Sequence, residues 1–268
     1  MRWMRVFAVL AWLAALPVPA RAEAEVDVAL VLAVDVSYSM DPDEQALQRQ
    51  GFVEAFRARA VHEAIRGGMV GRISVTYFEW AGAGHQQVVV PWTVIDGPEA
   101  ALAFAERLER QPIGRMFYTS ISGAIDFGVG LMASKQVEAV REVIDVSGDG
   151  PNNAGRLVTE ARDAAVARGI TVNGLPLMLK RPSLAWDIED LDLYYRDCVI
   201  GGPGAFIVPV REPAQFAAAI RTKIVREIAG LPAQVLPAQV LPARAQAGAE
   251  AEVDCQVGER LRRQRSWE

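Results

Sequence analysis

The stretch "VLAVDVSYSM", residues 31–40, sets one carboxylate and two hydroxyls at alternate positions, Asp35, Ser37 and Ser39, directly after an apolar run. Alternate residues of an extended chain share a face, so these oxygens converge where the strand ends. Two more polar positions belong with them. Thr119, in "FYTSISGAI", opens a helical pattern after a Gly-containing loop, and Asp149, in "SGDGPNN", stands where a strand gives way to a Gly-Pro turn. Two carboxylates and three hydroxyls make an all-oxygen set. That suits a hard cation, Mg²⁺ or Mn²⁺, which takes six oxygens in an octahedron and commonly keeps some as waters. The D-x-S-x-S pattern alone is weak, because helix capping accounts for one or two such residues. The three clusters together carry the argument.

The elements that must position them follow from pattern. "VDVALVLAVDVS" is an almost unbroken apolar run, as in a central strand covered on both faces. A helix over "DPDEQALQRQGFVEAFRARAVHEAIRGG" follows, with Asp41 as N-cap, Pro42 in the first turn, Glu44 completing a capping box and Gly67-Gly68 as the stop. "RISVTYFEWA" and "HQQVVVPWTVI" form an antiparallel hairpin across Gly82-Ala83-Gly84. Strands "EVIDVSGDG", "ITVNGLPLML" and "AFIVPV" then alternate with helical patterns, the last placing Phe216, Ile220, Ile224 and Ile228 four apart before Gly230. This alternation predicts an α/β fold with a mostly parallel sheet between two helical layers. Ligands in such sheets collect at the carboxyl ends of the strands, where all three clusters are expected.

The order and spacing of Asp35-x-Ser37-x-Ser39, Thr119 and Asp149 resemble the metal-ion-dependent adhesion site of the von Willebrand factor A-type domain family. "DVSGDGPNN" and "YYRDCVIGGPGAF" are similar to an exported bacterial branch of unknown function, DUF1194-like. The resemblance runs from about Glu25 to Gly230, within an expected domain of residues 23–230. It implies a doubly wound, Rossmann-like sheet with helices on both faces and the hairpin's second strand as one antiparallel edge. It also implies that Ser37, Ser39 and Thr119 meet the metal through hydroxyls, that Asp35 and Asp149 act through waters or hydrogen bonds, and that a partner's Asp or Glu fills the sixth position. Neutral direct ligands would leave the cation strongly electrophilic.

The ends read differently. Residues 1–22 have Arg2 and Arg5, an apolar stretch and Ala20-Arg21-Ala22, the pattern of a cleaved signal peptide. A membrane anchor is the competing reading, but the stretch is shorter than the ~20 apolar residues of a bilayer span. The chain is thus expected to be exported, with the periplasm as its compartment, and not an integral membrane protein after cleavage. Loss of three arginines would take the net charge from −5 to −8, which disfavours nucleic acid as a partner. Cys198 and Cys255 are either a disulfide or a buried thiol and a tail thiol. Residues 231–268 read as a Pro/Ala-rich linker, flexible or semi-extended, and a basic tail that is either solvated or a docking segment.

Catalysis finds little support. His62 and His85 are the two histidines, both expected at the surface and away from Ser37 and Ser147. "VSGDG" lacks a nucleophile-elbow frame, and no Lys/Arg cluster accompanies the acids for phosphoryl transfer. The chain reads as a binding module, not an enzyme. A metal-assisted hydrolase and a scaffold with a non-functional site are the rivals. Asp145, four residues before Asp149, is about 13 Å from it along a strand and reads as a buried, paired acid. Asn152 and Asn153 read as turn or cap residues close enough to touch a ligand.

Overall fold

The computed structural model describes residues 24–180, 188–230, 241–242 and 253–265. The expected signal peptide and most of the linker lie outside them. Strand β1 (Ala24–Asp35) runs through the centre, paired in parallel with β2 (Ile73–Trp80) on one side and β4 (Val137–Gly148) on the other. β3 (Gln86–Ile95) is the antiparallel edge next to β2. Beyond β4 come β5 (Thr171–Pro176) and the two-residue β6 (Phe206–Ile207), both parallel. With β7 (Leu241–Pro242) at the far edge, the order is β3-β2-β1-β4-β5-β6-β7. The direction of winding reverses between β1 and β4, so a crevice opens at their carboxyl ends.

Alternation along β1 builds both layers. Val28, Leu30, Leu32 and Val34 face a core that includes Phe52, Phe56, Phe104 and Phe216. Ala29, Val31 and Ala33 face another that includes Ile121, Ile125, Val158 and Tyr194. Helices α1 (Pro42–Arg57), α2 (Arg59–Arg66) and α3 (Pro98–Glu109) cover the first face together with α7 (Phe216–Ala229). The second is covered by α4 (Ile121–Ala133), α5 (Val158–Val166) and the short α6 (Leu191–Tyr194), which widens into a π turn over Tyr195–Val199. Each fully buried Leu or Phe contributes about 1.5–3 kcal/mol against exposure.

The elements of the structure differ from those read in the sequence in three places. The first long helix is two, because Ala58 is extended (φ −76°, ψ 133°) between α1 and α2. That segment has no Pro or Gly to mark the break. Leu241–Pro242 forms β7, antiparallel to β6, inside the expected linker. Val257–Arg265 forms α8, and Cys255 bonds to Cys198, so this part of the tail is docked. Among the described residues no helix is long and apolar enough to cross a membrane.

Candidate metal centre

Asp35 is the last residue of β1 and is fully buried. The chain turns immediately after it: the Ser37 amide donates to Asp35 Oδ1 at 2.7 Å. The capping box of α1, with Asp41 and Glu44 accepting from each other's amides at 2.9 Å, fixes the far end of this loop. From α1, buried Gln48 donates to the Asp35 carbonyl at 3.0 Å and accepts from Ser147 Oγ at 2.8 Å, tying the ends of β1 and β4 together.

Ser37, Ser39 and Asp149 meet here. Ser37 Oγ and Ser39 Oγ are 2.7 Å apart, and Ser39 Oγ donates to Asp149 Oδ1 at 2.6 Å. Thr119 lies across the crevice. Its amide donates to Asn153 Oδ1 at 3.0 Å, and its carbonyl accepts from the Asn153 amide at 2.8 Å. Ser120, not Thr119, caps α4 by accepting from the Gly123 amide at 3.1 Å. Thr119 shares with Ser37 and Ser39 a cavity of about 340 Å³, whose mouth carries Tyr38, Phe117 and Tyr118. Tyr118 takes a left-handed backbone (φ 70°), which costs a non-glycine residue free energy and presents Thr119 at the crevice.

The electrostatics are unbalanced as the protein stands. Burial raises the Asp35 carboxyl well above the usual carboxylate range, and the Asp149 charge raises it further, against hydrogen bonds from Ser37. Asp35 Oδ2 is buried with no hydrogen-bond partner among the described residues, and so is the Tyr195 hydroxyl. Gly148 leaves this space open, since an added Cβ would stand 2.9 Å from each of those two oxygens. An orphaned carboxylate oxygen beside a second acid is the surrounding that a divalent cation offsets, and the hydroxyls are hard-ion donors. The residues present therefore fit Mg²⁺ or Mn²⁺. Among the described residues no group of three His, Cys, Asp or Glu is placed to hold a metal ion.

Other predicted residues take structural places. Asp145 is buried and paired with Lys223 at 2.7 Å. His62 is buried, correcting the surface expectation, and bonds to the Phe56 carbonyl at 2.7 Å. His85 is exposed at the hairpin. Asn152 and Asn153 prove to be ties between loops: Asn152 Oδ1 accepts from the Ser122 amide at 3.0 Å, beside the Asn153–Thr119 clasp. Gln48 and Tyr118 were invisible to sequence reasoning, because neither type at its position is unusual in a helix or loop.

No curated protein matches the chain at the sequence level. Among solved structures, "von Willebrand factor type A from Catenulispora acidiphila" has a TM-score of 0.52 at 12% identity, covering 76% of this chain and 43% of that one. The pilus adhesin SpaC from Lactobacillus rhamnosus GG has a TM-score of 0.57 at 11% identity, covering 76% and 31%. Proximal thread matrix protein 1 from the mussel byssus, with a zinc-occupied MIDAS motif, has a TM-score of 0.54 at 10% identity, covering 78% and 50%. The chain thus spans half or less of the length of each of these structures. The shared feature is the fold, that of a von Willebrand factor A-type domain. Residues 25–232 match the family described as protein of unknown function (DUF1194), and to that family this chain belongs.

Proposed function

We propose that this chain is an exported, adhesion-type module that binds a protein partner through a divalent cation, Mg²⁺ or Mn²⁺. Ser37, Ser39 and Thr119 offer hydroxyl oxygens to the ion, and Asp35 and Asp149 hold those hydroxyls and the bound waters in place. The ion would supply one open coordination position for an Asp or Glu of the partner. Gln48 and the Asn153 clasp keep the three loops in register. The metal-occupied MIDAS of the mussel protein and the adhesin role of SpaC support the reading by analogy of fold.

The observation that carries it is the chain of contacts from Ser37 Oγ through Ser39 Oγ to Asp149 Oδ1, set beside the orphaned Asp35 Oδ2. Structural capping alone would not strand a carboxylate oxygen next to another acid. Titration calorimetry with Mg²⁺ tests it on the mature chain and on Asp35→Ala and Asp149→Ala. Binding heat in the parent and none in the variants is expected. Equal heats in all three, or none in any, would defeat the proposal.

A further inference from the structure

Helix α8 lies beyond the family match, which ends at residue 232, yet it builds one wall of the cleft. The Cys198–Cys255 disulfide anchors the chain two residues before the helix begins. Gly258 approaches the loop after β4 so closely that an added Cβ would stand 2.1 Å from the Asn152 carbonyl oxygen. Asn152 Nδ2 donates to Glu259 at 2.7 Å, and Arg262 donates to the Asn153 carbonyl at 2.9 Å. The helix therefore grips the loop that carries Asp149 and clasps Thr119.

Arg262 does more than grip. Its guanidinium carbon lies 4.6 Å from the centre of the Tyr118 ring, and the residue is exposed while lining the same cleft as Ser37, Ser39 and Thr119. Among the described residues no ion pair engages it. Beside another aromatic of the lining, Arg115 lies 4.4 Å from the Tyr38 ring, which stacks on Phe117 at 4.3 Å. A chain of net charge −5 thus sets Arg262 in the crevice where it also gathers metal-type donors, with Arg115 against the Tyr38 ring of its lining. A guanidinium laid on an aromatic face is held in orientation and keeps a planar fork of donors for a carboxylate.

We propose that Arg262 is a second anion-reading group of this cleft, so that the partner segment presents two neighbouring carboxylates, one to the metal position and one to Arg262. The inference rests on the metal-binding reading for the first carboxylate only. Residues two apart in an extended segment point to one side and are about 6.5 Å apart, so two acids of one segment can face the same cleft. The disulfide keeps the arginine in place before the partner arrives, which limits the ordering cost of binding.

The test uses the oxidised mature chain with Mg²⁺ and three blocked peptides, followed by NMR titration: Gly-Asp-Gly-Asp-Gly and the two versions with one Asp replaced by Asn. The two-acid peptide is expected to bind about fivefold tighter than either single-acid one, as a rim charge contact allows. Arg262→Ala should remove that advantage and Arg262→Lys should keep part of it. An advantage that survives in Arg262→Ala overturns the inference. If single-acid peptides bind in a Mg²⁺-dependent way with no gain from the second acid, the metal reading stands and this inference fails. If every peptide binds as tightly after EDTA as before it, and the gain from the second acid still depends on Arg262, the inference stands and the metal reading fails. No binding by any peptide at millimolar concentration contradicts both.

Discussion

Replacing Glu227 by Gln should remove a specific pH dependence of stability. Lys223 Nζ stands 2.7 Å from Asp145 Oδ1 and 2.5 Å from Glu227 Oε1, and all three side chains are buried. One ammonium faces two carboxylates, so the cluster holds an excess negative charge that solvent cannot screen. Burial, and after it the Asp145 charge, raise the Glu227 carboxyl from 4.5 to about 7, against the opposing pull of Lys223. An acid with a raised native pKa stays protonated in the folded chain while the unfolded chain has already released its proton. Stability therefore falls as pH rises from about 4.5 to about 7, and each unit is worth about 1.4 kcal/mol, a total on the order of 3 kcal/mol. Gln at 227 leaves a one-to-one Lys223–Asp145 pair and has no proton to lose. Urea unfolding of both proteins at pH 4.5, 6 and 8 gives the difference directly. The variant should gain on the parent as pH rises, with most of the gain reached by pH 8. A difference that is the same at all three pH values would refute the reasoning. The opposite change, Lys223→Met, strands two buried acids and should cost about 3–5 kcal/mol at pH 8.

Arg49→Met should be as damaging as Lys223→Met. Arg49 pairs with Glu79 in the core and donates to the Leu108 and Gln111 carbonyls at 2.8 and 3.0 Å, while Glu79 also accepts from the Gly114 amide at 2.8 Å. Stranding Glu79 is expected to lower urea stability by about 3–5 kcal/mol, and a loss below about 1 kcal/mol would contradict a buried, uncompensated acid. Gly258→Val should lift α8 from the Asn152 carbonyl while the disulfide holds. At an overpacking cost of about 1–3 kcal/mol, amide exchange in α8 should quicken by about five- to 150-fold. Unchanged exchange would mean that the helix is not seated there.

What the sequence made legible was local chemistry. The capping box at Asp41 and Glu44, the almost unbroken apolar run of β1 and the Gly230 stop are each set by neighbours in the chain, so the pattern names them. The D-x-S-x-S spacing, the Thr119 loop and the Asp149 turn are likewise short motifs, and the strand order then brings them to one edge. What stayed hidden was set by contacts between distant segments. Gln48 looks like any polar helical residue until Ser147 and the Asp35 backbone close on it. The Cys198–Cys255 bond depends on a Cα separation of 5.4 Å that no spacing in the sequence implies. The basic run of α8 reads as either a solvated tail or a docking segment, because its docking depends on Gly258 and on carbonyls of the Asn152 loop. The break at Ala58 carries no local signal and lets Val61 and Ile65 turn into the core.

A Mn²⁺-soaked crystal of residues 23–268, recorded at the manganese edge, addresses the central claim most directly. The account predicts an anomalous peak in the cleft within about 2.2 Å of hydroxyl oxygens from Ser37 and Ser39, lost in Asp149→Ala crystals. A map with no peak there, or with manganese bound only elsewhere on the surface, would contradict it.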